Sequence, residues 1–224
     1  MIVTLTMNPA LDRTVELQAA LAPGDVQQAS AVREDPGGKG VNVARVLAGA
    51  GVAVTAVLPL ADGDPYRALL GDLPARTVPI DGRVRANLTL TDPDGETTKI
   101  NLPGPVVGER EARALIDAVV AAADGARWLV LSGSLPRGVA ADFYVDVALA
   151  VGARCAAPPR IAVDTSGPAL AEAVLSGAVD LIKPNDEELV ELSLLMEGSE
   201  RRVEQKALSR AARDMRRAIA HAPA

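Results

Sequence analysis

The 224-residue sequence contains one cysteine, one histidine and four aromatic residues, Tyr66, Trp128, Phe143 and Tyr144. Each scarcity excludes a kind of chemistry. A disulfide framework needs paired cysteines and a Cys/His zinc cluster needs several ligands, so neither can form. A Ser-His or Cys-His enzyme would have to recruit His221, close to the end of the chain, which is a poor place for a catalytic base. The formal net charge is -6. A nucleic-acid binder presents a basic face and stacking rings, so no nucleic-acid partner is expected. Long apolar runs are lacking as well. The longest uncharged stretch, Val46 to Ala61, is shorter than the roughly 20 residues of a membrane span. Its Gly49, Gly51, Thr55 and Pro59 make it read as a helix end, a glycine cap and a buried strand. Residues Met1 to Met7 carry no basic leader and read as a strand. The expectation is a cytoplasmic protein without a membrane partner.

What is present is ordinary globular composition, 49% apolar and 23% charged, in a length that suits one generous domain or two small ones. The charge is unevenly placed. Residues 191–224 hold seven Lys/Arg and five Asp/Glu, so residues 1–190 hold 16 against 24, net -8. An acidic body that binds phosphates needs its few cations well placed. Only four of the 23 basic residues are lysines: Lys39, Lys99, Lys183 and Lys206.

Short β-branched runs alternate with helix-period runs. Strands are predicted at Ile2–Met7, Val52–Leu58, Arg127–Leu131, Arg160–Val163 and Asp180–Ile182, each apolar on both faces as in a buried parallel sheet. Helices are predicted at Lys39–Ala48, Pro65–Leu70, Glu109–Asp124, Ala140–Ala150 and Pro168–Ser176. The clearest is Glu109–Asp124, with Ala112, Leu115, Ile116, Val119, Val120 and Ala123 on one face. The alternation implies crossover units and a three-layer α/β sandwich around a mostly parallel sheet. Two segments break it. Thr14–Gln18 with Val26–Glu34, and Val84–Asp92 with Glu96–Leu102, read as polar antiparallel pairs, the second joined by the turn Asp92-Pro93-Asp94-Gly95. They are expected to form a small antiparallel sheet projecting from the sandwich. Ser199 to Ala220 reads as one long Arg-rich helix.

Four stretches could carry chemistry. In Asp35-Pro36-Gly37-Gly38-Lys39-Gly40-Val41-Asn42, glycines free backbone N–H groups to converge on an anion at a helix start, and Lys39 adds charge. It is not a Walker A loop, because Arg33 and Gly40 stand where Gly and Ser/Thr are needed. Val43 likewise breaks a dinucleotide fingerprint. Asn8-Pro9-Ala10-Leu11-Asp12 follows the first strand, where Asp12 can accept from substrate hydroxyls or simply cap a turn. Ser132-Gly133-Ser134-Leu135-Pro136 occupies the same rim, and small residues there allow a phosphate close approach. In Lys183-Pro184-Asn185-Asp186-Glu187-Glu188, Asn185 and Glu188 have capping-box spacing. The alternative is an amide and a carboxylate ordering water around Mg²⁺.

In this order, the motifs resemble the ribokinase-like sugar kinases of the phosphofructokinase-B family, from Met1 to about Leu192. Within it they are most similar to bacterial 1-phosphofructokinases, with tagatose-6-phosphate kinases close behind. Five stretches carry the likeness: Thr4 to Asp12, Pro36 to Ala44, Arg85-Ala86-Asn87, Leu131 to Pro136, and Lys183-Pro184-Asn185. The resemblance implies transfer of phosphate from ATP, with Mg²⁺, to a phosphorylated ketohexose, fructose 1-phosphate foremost. It implies that Asp12, Gly38 and Asn42 hold sugar hydroxyls, and that Lys39, Arg85 and Ser134 surround the substrate's phosphate. Lys183, Asn185 and Glu188 would face ATP phosphates and Mg²⁺, Glu188 through water. The polar strands, about 13–34 and 84–103, would be a lid that pairs with a second subunit's lid in a homodimer. One departure stands out. The family's Gly-Ala-Gly-Asp motif, which supplies the catalytic base and an anion hole, is absent. Gly49-Ala50-Gly51 is followed by Val52 and lies too early. The expectation is therefore an incomplete ribokinase-like domain over 1–192 with a helical tail over 193–224, either inactive by itself or a non-catalytic sugar-phosphate binder. The other alternative, an NAD-dependent dehydrogenase, would share the alternating fold but needs a glycine fingerprint after the first strand, which Asn8-Pro9-Ala10 is not.

Overall fold

The computed structural model describes residues 1–197. The tail helix expected over Ser199 to Ala220 lies outside the described residues. The chain divides into two units, Met1–Lys183 and Pro184–Ala224. In the first, a six-stranded sheet is built from β1 (Ile2–Thr6), β4 (Val54–Pro59), β5 (Ala75–Val78), β8 (Trp128–Ser132), β9 (Arg160–Asp164) and β10 (Leu181–Ile182). Its order is β10-β9-β8-β1-β4-β5, and every pairing is parallel. The expected crossover sandwich is what forms, with helices α1 (Lys39–Gly49), α2 (Tyr66–Leu69), α3 (Glu109–Ala123), α4 (Phe143–Arg154) and α5 (Gly167–Ser176). Strand β5 was not foreseen. Ala-Arg-Thr-Val has no buried run, because as an edge strand only Val78 is fully buried.

Two apolar clusters flank the sheet. Val3, Leu5 and Met7 pack with Leu115, Val119, Phe143, Tyr144 and Val147 from α3 and α4. Val41 and Ala44 of α1 pack with Ala56, Leu58 and Tyr66 in the other. On that side β1 presents Thr4 and Thr6, both buried with hydroxyls that have no partner. Small residues let α1 come close: a Cβ on Gly40 would lie 2.4 Å from Thr6 Oγ1 and 2.8 Å from the Leu5 carbonyl oxygen. The start of α1 is thereby pressed against the end of β1.

The polar strands form a second sheet of four, β2 (Ala10–Leu17), β3 (Ala29–Gly37), β6 (Arg85–Thr91) and β7 (Thr97–Asn101), ordered β3-β2-β6-β7. The two outer pairings are antiparallel as expected, but β2 and β6 pair in parallel. The sheet is mixed, because β6 enters from a distant part of the chain and runs alongside β2. Strand bounds also shift toward the rim. β2 begins at Ala10 rather than Thr14, and β3 ends at Gly37 rather than Glu34, while Val26 lies outside it and fully in solvent. The Asp92–Gly95 turn is closed by Asp92 Oδ1, which accepts from the Asp94 and Glu96 amides at 3.0 Å each.

In the second unit a helix runs over 186–197. Asn185 Oδ1 accepts from the Glu188 amide at 2.7 Å, and Glu188 Oε2 accepts from the Asn185 amide at 2.9 Å. The pair is thus a reciprocal capping box.

Candidate active site

The sheet order reverses between β1 and β8, and in open α/β sheets ligand sites gather beyond the strand ends at such a point. Thr6 is in register with Ser132, and Ser132 with Asp164. The turns after these strands therefore share one rim. Asn8 follows β1 and donates from Nδ2 to Ser134 Oγ at 3.1 Å, across 126 positions of sequence. A Cβ on Gly104 would lie 2.8 Å from Asn8 Oδ1 and 3.6 Å from Arg85 Cδ, so Arg85 belongs to the same group. Asn8 Oδ1 and Arg85 Nε are buried without a partner.

Asp12 is a strand residue, not a turn residue as the sequence suggested. Its β2 position sets it between β3 and β6, in register with Asp35 and Asn87. Asn87 Nδ2 donates to Asp12 Oδ1 at 2.9 Å. The carboxylate lies directly over Gly37, whose side chain, had it one, would begin 2.0 Å from Asp12 Oδ2. Gly38 follows at φ 113°, a conformation that only glycine adopts easily. It opens α1, and its carbonyl accepts the first helical bond from the Asn42 amide at 2.9 Å. Lys39 and Asn42 then project from the first turn, both exposed. Gly37 is fixed from behind by Tyr66, whose buried hydroxyl donates to the Gly37 carbonyl at 2.6 Å. Burial, reinforced by Asp12, pushes the Tyr66 hydroxyl well above the usual tyrosine range, so it stays a donor.

Lys39 Nζ donates to Asp164 Oδ1 at 2.9 Å, and Lys183 Nζ lies 3.9 Å from Asp164 Oδ2. Asp164 ends β9, one residue beyond the close at Val163 that the sequence predicts, and sequence reasoning assigns it no role. A carboxylate directly after the buried run Ile161-Ala162-Val163 was the signal available. Asn8, Gly37 and Asn87 were also given no role of their own. The first unit thus brings Asp12, Gly38, Lys39, Asn42, Arg85, Ser134 and Lys183 to the ends of β1, β2, β6, β8 and β10 or the turn into α1. Asn185 and Glu188 lie in the second unit. A concavity of about 570 Å³ lined by Asp62, Ile80, Asp81, Arg110 and Glu111 includes none of these residues.

The architecture is thus a parallel six-stranded sheet whose switch-point rim gathers glycines, lysines and small hydroxyls, with a smaller mixed sheet beside it. The model of the pfkB family carbohydrate kinases matches residues 2–215, and the chain belongs to that family. The 1-phosphofructokinase of Xanthomonas campestris pv. campestris is 37% identical over 195 residues, covering 84% of this chain and 60% of the relative. The ATP-dependent 6-phosphofructokinase isozyme 2 of Mycobacterium tuberculosis is 39% identical over 195 residues, covering 85% and 56%. Phosphofructokinase-2 from Escherichia coli in complex with fructose-6-phosphate superposes with a TM-score of 0.78 at 34% identity, covering 86% of this chain and 63% of that one. The chain spans about three fifths of the length of the curated relatives it matches. Relatives of both phosphofructokinase kinds match about equally, so the likeness favours neither substrate.

Proposed function

We propose that this chain carries the sugar-phosphate side of an ATP-dependent kinase for phosphorylated ketohexoses, with fructose 1-phosphate as its substrate. The observation that carries the reading is the convergence of Asp12 on Gly37, Asn8 on Ser134, and Lys39 on Asp164 at one rim. Asp12 accepts from sugar hydroxyls beside Gly38 and Asn42. Lys39, Arg85 and Ser134 take the phosphate already on the substrate. Such catalysis is positioning plus neutralisation of charge.

The residues present suit a nucleotide with Mg²⁺. Lys183 offers an exposed ammonium for phosphates. Among the described residues no cluster of three or more His, Cys, Asp or Glu could hold a metal directly. Mg²⁺ prefers oxygen ligands and keeps its waters. Asn185 and Glu188 are engaged in their reciprocal capping box, and their proposed role is to order a water of the Mg²⁺ shell. When bound, Mg²⁺ would neutralise charge on the transferring phosphoryl group.

Calorimetry tests the sugar side. Fructose 1-phosphate is expected to bind the 224-residue chain, and unphosphorylated fructose is not. Lys39→Ala and Arg85→Ala are each expected to weaken binding by about 1.5–3 kcal/mol, the range for hydrogen bonds to charged groups. Unchanged affinity in both variants would sink the assignment, and tighter binding of fructose 6-phosphate would move the substrate.

We also propose a homodimer through the second sheet. Its edges are β3 and β7, and β7 is exposed throughout, with Ile100 and Leu102 uncovered. Open edges with apolar side chains invite pairing with an identical edge. Sedimentation at high micromolar concentration should show a dimer, and a folded monomer there would remove the proposal. Among the described residues no helix is long and apolar enough to cross a membrane.

A further inference from the structure

We propose that Asp164 is an internal competitor for the sugar phosphate: a positioning residue that holds Lys39 until the substrate's phosphate displaces it. The inference rests on the sugar-phosphate reading of the rim.

The backbone that carries the carboxylate is pinned. The Gly133 amide donates to the Asp164 carbonyl at 2.8 Å. The Gly133 carbonyl in turn accepts from Thr165 Oγ1 and from the Tyr144 hydroxyl, each at 2.9 Å. Tyr144 and Thr165 are buried. The side chain of Asp164 is only 16% exposed, against 45% for Lys39 and 73% for Lys183. A fixed anion is therefore met by two lysines on flexible stems. The rigid partner sets where Lys39 rests, and the flexible partner is the one that can move.

This arrangement has a definite sign. A phosphate dianion that engages Lys39 must share its ammonium with Asp164 or take it away. In either case the two anions repel across a partly buried site, where screening by solvent is incomplete. The carboxylate thus orients Lys39 at a cost in phosphate affinity. Removing the negative charge while keeping the shape should raise that affinity, the reverse of what damage to a binding site does.

Calorimetric titration of the 224-residue chain with fructose 1-phosphate tests this. Asp164→Asn is expected to bind about tenfold more tightly than the parent chain, the scale of one charge-assisted hydrogen bond recovered. In a Lys39→Ala background the same change should give a smaller gain, because only the direct repulsion between the two anions is then relieved. Equal or weaker binding by a folded Asp164→Asn chain overturns the proposal, as does an undiminished gain without Lys39. Should Asp164→Asn not fold, the carboxyl ¹³C resonance of Asp164 in the parent chain gives the answer. It is expected to shift as fructose 1-phosphate is added, and constancy at saturation overturns the proposal. If neither parent nor variant binds fructose 1-phosphate, fructose 6-phosphate or tagatose 6-phosphate, the sugar-phosphate reading itself fails and the inference falls with it. Binding by the parent without a gain in Asp164→Asn fails the inference alone.

Discussion

The 224 residues expressed by themselves are expected to release ADP from ATP and fructose 1-phosphate on the order of 10⁴-fold more slowly than a chimera with a relative's C-terminal segment after Leu192. A positioned general base contributes roughly 10²–10⁴-fold, and one oxyanion-type donor about 10²–10³-fold. The resemblance implies that a Gly-Ala-Gly-Asp motif supplies both, and these 224 residues contain no such motif. Its Gly49-Ala50-Gly51 closes α1: the Ala50 and Gly51 amides donate back into the last turn, to Val46 and Ala48, at about 3 Å. All three residues are exposed. An anion hole needs the N-terminal end of a helix, where free amides and the dipole favour negative charge. This tripeptide sits at the opposite end, where the dipole repels an anion. A coupled ADP-release assay on both chains is the measurement. Comparable turnover by the 224 residues would show that another residue serves as base. A folded chimera that stays inactive would argue that the sugar side described above is not competent.

Gly37→Ala is expected to abolish sugar binding at a modest cost in the stability of the fold. The new methyl would lie 2.0 Å from Asp12 Oδ2 and 2.3 Å from its Cγ. Gly37 does not have a positive φ, so alanine fits the backbone and only the Asp12 carboxylate must move. The carboxylate can swing aside, but it then loses its hydrogen bond from Asn87, so the melting midpoint should correspond to a loss of about 1.5–3 kcal/mol. Binding is another matter. If Asp12 accepts from two sugar hydroxyls, as the proposed reading allows, displacing it forfeits about 1.5–3 kcal/mol for each, or on the order of 10²–10⁴-fold in affinity. Asp12→Ala should lose as much, and the double variant no more than either single one, because both act through one carboxylate. Near-parent affinity in Gly37→Ala would show that Asp12 does not touch the sugar. A large stability loss would show that the turn cannot relax as described.

The chain's own periodicity made the sandwich legible. Runs such as Ile2–Met7 and Arg160–Val163 announce buried strands because a parallel sheet is dry on both faces, and α3 repeats its apolar residues at helical spacing. Edge strand β5 escaped notice for the same reason in reverse: Ala75–Val78 is largely exposed and carries no pattern. The rim motifs were legible too, because glycines before α1 and small residues after β8 serve local needs of turn geometry and close approach.

What the sequence determined by itself was the strands, helices and turns other than edge strand β5, and which residue types stand near their ends. Only the tertiary structure decided which of those ends meet. Asp12 reaches Asn87 because β2 and β6 pair in parallel, Asn8 reaches Ser134 because β1 and β8 are neighbours, and Lys39 reaches Asp164 because α1 packs on β1 through Gly40. These contacts span 75 to 126 positions. Burial periodicity is written locally in a chain, whereas register between distant strands is fixed only when their shared core packs.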